Sequence, residues 1–166
     1  MIIDIRPEWK GDVNDAVTLL HYRHVADKRR LARGLLAERA VWHALNKVAP
    51  SPGEWLSLAT SQPGNGNAPD LKFGKVLIDV KLVADRHETL VIKYGAQHLT
   101  HVYTHWVPRS GLKQLEILGA LLAPVPETFG PASALPSFHA LRNPSFDVRG
   151  WVIPRQRLQP LETIFL

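Results

Sequence analysis

The distribution of proline constrains the fold of this chain more than any other feature of its sequence. The chain has 13 prolines in 166 residues, yet residues 12–48 contain none and hold a single glycine. Apolar residues in the second half of this run recur at helical spacing, with charged residues between them. Because proline disrupts a helix interior, we predict one long helix here, or two with a break near Asp27. The run ends before Pro50, in a typical stop signal.

The chain beyond residue 68 is typical of strands. We predict a hairpin over residues 69–83 that turns near Phe73 and Gly74. Four further segments rich in β-branched and aromatic residues are predicted strands: 87–94, 100–108, 115–122 and 149–154. We expect a loose tail after the last of these. Helices followed by a run of strands indicate an α+β or mixed α/β fold with one sheet.

The overall composition is that of one globular domain, with 45% hydrophobic and 21% charged residues. No apolar run reaches 18 residues, so we expect no membrane span. Cysteine is absent, which rules out disulfides and thiolate zinc sites. Two acids among the first eight residues do not resemble a secretory signal, so a cytoplasmic location is expected. The net charge of +5 is compatible with a nucleic-acid partner.

Two charged residues, Asp79 and Lys81, interrupt the most apolar strand of the predicted hairpin, VLIDVKLV. Buried charges are costly unless they are paired or bound to a metal. Residues i and i+2 of a strand share a face, so these two side chains project together. If the turn has an even number of residues, Leu77 lies opposite Asp70, and Asp70 shares that face too. An odd turn would place Asp70 on the other face unless a bulge corrected it.

Two carboxylates and a lysine on one face are suited to phosphodiester hydrolysis. The carboxylates can hold Mg²⁺, which lowers the pKa of a bound water, and the lysine can stabilise developing negative charge. A third carboxylate, Glu38, lies in the helical run four residues after Gly34 and on the same helix face. Glycine costs a helix about 1 kcal/mol against alanine, so we expect the sheet or a DNA backbone to approach it closely. Arg29, Arg30 and Arg33 precede Glu38 and could contact flanking phosphates.

Taken together, Glu38, Pro69–Asp70 and Asp79–Lys81 resemble the motifs of the PD-(D/E)xK nuclease superfamily. The layout is similar to that of Holliday junction resolvases and Mrr-type endonucleases, and the resemblance covers roughly residues 30–107. It implies an α/β, restriction-endonuclease-like fold with a mixed β-sheet core and flanking helices. It also implies Mg²⁺-dependent cleavage of DNA by water.

The resemblance also assigns roles to individual residues. It implies that Asp70, Asp79, Glu38 and the carbonyl of Val80 hold Mg²⁺ or Mn²⁺, with Glu38 acting directly or through water. Lys81 would be the catalytic lysine. The partner would be DNA, although the sequence leaves DNA against RNA and the preferred substrate open. A homodimer is expected if the enzyme cuts both strands, because that usually needs two sites.

The segments outside the resemblance are interpreted as additions to a single domain that spans residues 1–166. The first is an N-terminal helical extension of about residues 1–30. The second is an irregular excursion at about residues 124–144, which holds five prolines. The sequence assigns a role to neither segment.

Two alternatives remain open: a DNA-binding module of the same fold that does not cleave, and a structural domain whose charges form salt bridges. The acid-x-Lys pattern of Asp79–Lys81 is weak evidence by itself, because Glu8–Lys10 and Asp70–Lys72 have the same pattern. Neither of those two lies in an apolar run. A structural domain would leave Glu38, Asp70 and Asp79 far apart. In a nuclease without metal, removing Asp79 is expected to relieve carboxylate repulsion and leave the melting temperature no lower.

The histidines of the segment QHLTHVYTHW admit two interpretations. His101 and His105 are four residues apart, as in helical zinc sites, but no Glu lies between them and no Cys is present. The β-branched and aromatic residues around them favour a strand, on which His101, Tyr103 and His105 share one face. We therefore predict a polar sheet face rather than a metal site.

Overall fold

A computed structural model describes residues 1–19, 25–56, 68–84, 90–93, 95–125 and 150–166 of the chain. Two α-helices are described, α1 (Pro7–Leu19) and α2 (Val25–Leu45). Eight strands are described: β1 (Ile2–Asp4), β2 (Glu54–Trp55), β3 (Leu71–Phe73), β4 (Val76–Val83), β5 (Leu90–Lys93), β6 (Thr100–Trp106), β7 (Gln114–Leu121) and β8 (Gly150–Ile153). Two 3₁₀-helices close the chain, Arg155–Arg157 and Leu161–Phe165.

The strands form a six-stranded mixed sheet and a separate two-stranded one. The strand order of the larger sheet is β1-β7-β6-β4-β3-β2. Strands β4 and β6 are parallel, and the other neighbours are antiparallel. Strands β5 and β8 pair with each other in antiparallel fashion. The chain therefore has the mixed α/β class that the sequence predicts.

The proline-free run forms two helices rather than one. The second begins at Val25, just before the predicted break at Asp27, and residues 20–24 lie outside the described part of the chain. The first helix begins at Pro7, where the missing N–H of proline has no helical partner to lose. Trp9 is buried in the core, and β1 pairs with β7. The N-terminal residues are therefore built into the sheet and core, which the sequence did not reveal.

Alternate residues of β4 pack into opposite layers. Ile78 joins the cluster that contains Val41 of α2, whereas Leu77 packs against the cluster that contains Leu90 and Ile92 of β5. Burying each side chain of this size contributes about 1.5–3 kcal/mol. Because Asp79 shares a face with Leu77, it lies on the side of the sheet away from α2.

The β3–β4 turn consists of Gly74 and Lys75, one residue later than predicted. Gly74 has φ of 59°, as the first residue of a two-residue hairpin turn of type II′ does. Leu77 pairs with Lys72, not with Asp70 as expected. The turn is nevertheless even, but the strand pairing stops at Leu71 and Ile78, and Asp70 lies just outside β3, so the register alone does not set the face of Asp70.

The prediction of a loose tail after the last strand is wrong. Leu161 and Ile164 of the second 3₁₀-helix are buried in the core cluster that includes Ile117. Backbone hydrogen bonds in both directions, each 2.8 Å, join Gln159 to Ala120. Apolar residues three apart bring this segment onto the sheet, because one turn of 3₁₀-helix aligns them.

Most of the predicted proline-rich excursion falls within residues 126–149, which lie outside the described part of the chain. The described residues just before them include a cis Ala123–Pro124 bond and a buried Val125. Neither described helix is long and apolar enough to cross a membrane.

Candidate functional site

Asp79 lies in the middle of β4, is 5% exposed, and is held through a single carboxylate oxygen. Its Oδ2 lies 2.5 Å from Lys81 Nζ and 3.1 Å from His101 Nδ1. Burial alone would raise the Asp79 pKa, but the hydrogen bond from His101 and the charge of Lys81 outweigh burial and lower it. Asp79 is therefore an ionised carboxylate with two cationic or donor neighbours.

Asp70 lies immediately before the first residue of β3, at the edge of the hairpin where β4 extends beyond its partner strand. Its backbone N–H donates to the carbonyl oxygen of Ile78 at 2.8 Å, although Ile78 is paired with Leu71 in the strand register. Its side-chain Oδ2 then accepts the N–H of Val80 at 2.7 Å, a donor that β3 no longer reaches. The carboxylate thus satisfies a backbone group that would otherwise need another partner.

The pKa of Asp70 is raised from 3.8 to about 8. Burial is the largest cause, followed by the charges of Glu38 and Asp79. The Val80 N–H and the Lys81 charge act in the opposite direction and are too weak to compensate. Without a metal, Asp70 is therefore the acid that holds a proton near neutral pH. From the sequence we expected carboxylate repulsion to act on Asp79. In the structure the pKa of Asp79 is lowered, and the neighbouring acids instead raise the pKa of Asp70.

Glu38 is half-buried on α2 and faces the sheet rather than solvent on the far side of its helix. Its Oε2 accepts a hydrogen bond from Trp55 Nε1 of β2, at 2.9 Å. The charge of Glu38 contributes to the raised pKa of Asp70, so the two acids lie within electrostatic reach of each other. Glu38 approaches from the helix layer and Asp79 from the opposite one, with Asp70 interacting with both.

Trp55 is itself fixed by a cluster of tryptophan rings around one arginine. The guanidinium of Arg39 lies 4.5 Å from the ring centroid of Trp42, 5.5 Å from that of Trp9 and 5.9 Å from that of Trp55. Such cation–π contacts stabilise by about 0.5–2 kcal/mol. The Trp55 ring, which donates to Glu38, is therefore also in contact with Arg39. This contact could not be predicted from the sequence, because Trp55 and Glu38 are 17 positions apart.

The structure thus brings all four predicted side chains, Glu38, Asp70, Asp79 and Lys81, into one electrostatic neighbourhood. Within the described ranges, no group of three or more Asp, Glu or His side chains is arranged so that it could hold a metal ion. The donor types still fit a hard dication, because Glu38, Asp70 and Asp79 all offer carboxylate oxygens and the charges of Glu38 and Asp79 both act on Asp70. The structure links the N–H of Val80 to this cluster, and the role of its carbonyl stays a prediction.

The predicted basic residues Arg29, Arg30 and Arg33 are exposed on α2. Gly34 lies between them and Glu38, and a Cβ added there would meet no described atom within 4 Å outside the neighbouring backbone. The expectation that the sheet approaches Gly34 is therefore wrong for the described residues. The approach of a DNA backbone stays a prediction.

The histidines of β6 share one face, as predicted, but that face is buried rather than a polar surface. His101 is fully buried and His105 is 3% exposed. Each pairs with one carboxylate: His101 with Asp79, and His105 Nε2 with Glu116 Oε2 at 2.9 Å. The sequence interpretation missed His101 as part of the acid cluster, because the parallel pairing of β4 with β6 sets it beside Asp79.

Comparisons of the chain with protein-family models, with curated proteins and with solved structures found no match.

Proposed function

We propose that the chain is a metal-dependent nuclease of the PD-(D/E)xK type, with a restriction-endonuclease-like fold, that hydrolyses phosphodiester bonds in DNA. The observation that carries this proposal is the pKa of Asp70, which burial and two neighbouring acids raise to about 8 beside a lysine. Acids crowded in this way are typical of sites that function with a bound cation. The order of a helix with Glu38, a hairpin with Asp70 and Asp79, and a parallel strand supports the fold assignment.

Asp70, Asp79, Glu38 and the Val80 carbonyl would hold Mg²⁺ or Mn²⁺. The ion would supply Lewis acidity toward water and positive charge opposite the scissile phosphate. The raised pKa of Asp70 supports this set, because a dication favours the ionised form of a carboxyl group that otherwise keeps its proton.

Lys81 would stabilise the negative charge that develops on the phosphate as water attacks phosphorus and the P–O bond breaks. Its side chain is flexible and 27% exposed, so the ammonium group can turn from Asp79 toward a substrate. The attack leaves a phosphate on one fragment and a hydroxyl on the other. The proton from the attacking water passes to solvent or to the leaving oxygen.

DNA would lie along the exposed side of α2. Arg29, Arg30 and Arg33 are exposed on the helix that carries Glu38, and Gly34 leaves open space between them and the acid. Arginines in this position would neutralise phosphates that flank the scissile bond. The basic net charge of +5 adds long-range attraction. We propose a cytoplasmic location and, if the enzyme cuts both strands, a homodimer, because a double-strand cut usually needs two sites.

The second candidate is a DNA-binding module of the same fold that does not cleave. It is favoured by the contact between Lys81 and Asp79 and by the lack of a finished metal ligand set among the described residues. In this alternative the lysine neutralises Asp79 permanently, and the acids need no ion.

A cleavage assay distinguishes the candidates. The purified protein is incubated with linear, nicked, branched and single-stranded DNA and with matched RNA, in Mg²⁺, Mn²⁺ or EDTA. A nuclease cuts at least one DNA substrate in metal and none in EDTA, and Lys81→Ala abolishes cleavage while DNA binding remains. Lys72→Ala is the matched control, because Lys72 belongs to the neighbouring acid-x-Lys triplet but pairs with Glu54. Metal-independent binding with no cleavage would select the binding module, and no binding would contradict both.

A further inference from the structure

His101 is a buried ring placed between two hydrogen-bond acceptors. Its Nδ1 lies 3.1 Å from Asp79 Oδ2, and its Nε2 lies 3.0 Å from the carbonyl oxygen of Ala96. The ring has no exposed surface, so water does not compete for either contact. An ionised carboxylate and a backbone carbonyl can only accept hydrogen bonds, so each calls for a proton on the nitrogen that faces it.

Both donors to Asp79 use the same oxygen. Lys81 and His101 contact Oδ2, and neither contact involves Oδ1. Two donors on one oxygen fix the orientation of the carboxylate and leave its second oxygen for another ligand. Carboxylates that bind metals are commonly oriented by hydrogen bonds of this kind.

The two donors differ in freedom of movement. Lys81 has a flexible side chain with partial exposure, and its proposed role requires it to turn toward the phosphate. His101 is buried, and the Ala96 carbonyl holds its other nitrogen. That carbonyl belongs to a turn that is itself closed by the Leu99 N–H at 3.1 Å. When Lys81 moves, only the histidine of this pair continues to hold Asp79.

We propose that His101 is a positioning residue, which holds Asp79 in the orientation that binds the metal ion while Lys81 engages the substrate. This inference rests on the proposed function and deepens it. The alternative is that His101 only pins the Ala96 turn to the start of β6, with no consequence for metal binding.

Two substitutions separate these roles, because each keeps one of the two hydrogen bonds. The amide nitrogen of Asn is as many bonds from Cα as Nδ1 of histidine, so His101→Asn retains a donor toward Asp79. The amide nitrogen of Gln is as many bonds from Cα as Nε2, so His101→Gln retains the donor toward Ala96. If His101 positions Asp79, His101→Asn should retain Mn²⁺ affinity and His101→Gln should lose it. If His101 is purely structural, His101→Gln should retain the melting temperature and Mn²⁺ affinity should not depend on which variant is used.

The experiment measures Mn²⁺ affinity by electron paramagnetic resonance, together with thermal melting in EDTA. We expect His101→Asn to bind Mn²⁺ within about threefold of wild type and His101→Gln to bind about 10–100-fold more weakly. His105→Asn is the matched control: it removes the Nε2 contact to Glu116 on the same strand face. It should lower the melting temperature without changing Mn²⁺ affinity.

Equal Mn²⁺ affinity in wild type and His101→Gln would overturn the proposal while leaving the nuclease function intact. A wild-type protein that neither binds Mn²⁺ nor cleaves DNA would overturn both. If His101→Gln does not fold, ¹⁵N resonances of the wild-type histidine rings provide the second readout. Adding Mg²⁺ should shift the His101 signals and leave those of His105 unchanged, and an unshifted His101 would contradict the proposal.

Discussion

Replacing Asp70 with asparagine should remove a pH-dependent destabilisation of the metal-free protein. The folded-state pKa of Asp70 is about 8 against an ordinary value of 3.8, because of burial and then the charges of Glu38 and Asp79. Asparagine cannot ionise, yet its side-chain oxygen can still accept the N–H of Val80. The substitution therefore deletes the charge and keeps the hydrogen bond.

The sign and size of the effect follow from proton linkage. Between pH 4 and 8 the folded state holds a proton on Asp70 that the unfolded state has lost, so stability falls as pH rises through this window. Each pKa unit corresponds to about 1.4 kcal/mol, so the full shift destabilises the ionised protein by roughly 6 kcal/mol above pH 8. Below pH 4 both states are protonated and the effect vanishes.

The assay is urea denaturation in EDTA from pH 4 to 9. The difference in free energy of unfolding between Asp70→Asn and wild type should grow with pH and reach several kcal/mol in favour of the variant at pH 9. Glu162→Gln, at an exposed acid of the last 3₁₀-helix, is the control and should run parallel to wild type. Mg²⁺ should restore stability to wild type at high pH but not to Asp70→Asn. Parallel profiles for wild type and Asp70→Asn would show that Asp70 does not have a raised pKa in the folded protein.

Three further outcomes are expected. Asp79→Ala in EDTA should lower the free energy of unfolding by about 3 kcal/mol, which reverses the expectation from the sequence, because Asp79 is held by Lys81 and His101 and its loss leaves both without this partner, although Lys81 keeps some access to water; an unchanged urea midpoint would contradict this. Trp55→Phe keeps the ring but loses the donor to Glu38, so Mn²⁺ affinity should fall about tenfold in a resonance titration, and an unaltered affinity would remove Trp55 from the site. Arg30→Gln should reduce the slope of log affinity for DNA against log salt by about one, and an identical slope would place phosphate contacts elsewhere.

The hairpin of the site could be predicted because its information is local. Strand periodicity sets Asp79 and Lys81 on one face, and the tight turn brings Asp70 back to the backbone N–H of Val80 between them. The observed turn nevertheless lies one residue later, which moves each pairing by two residues. Registers that differ by two present the same faces, so the apolar pattern could not distinguish them.

The features that the sequence missed all depend on partners distant in the chain. His101 meets Asp79 through a parallel pairing reached only after the chain has passed through β5. Strand β1 is three residues long and pairs with β7 near the far end of the described sheet. The C-terminal segment is polar enough to resemble a tail, yet Leu161 and Ile164 bury against the core. Tertiary contacts decide each of these, and local pattern carries no signal for them.

The most direct test of the proposed metal site is the proton release that accompanies Mn²⁺ binding at pH 7. Calorimetric titration in buffers of different ionisation enthalpy gives the number of protons released per ion. Asp70, with a pKa of about 8, is about nine-tenths protonated at this pH and must ionise to bind a metal, so we predict close to one proton per ion. Asp70→Asn should release almost none and bind more weakly. Binding without proton release, or release that persists in Asp70→Asn, would contradict the claim that these acids form one metal site.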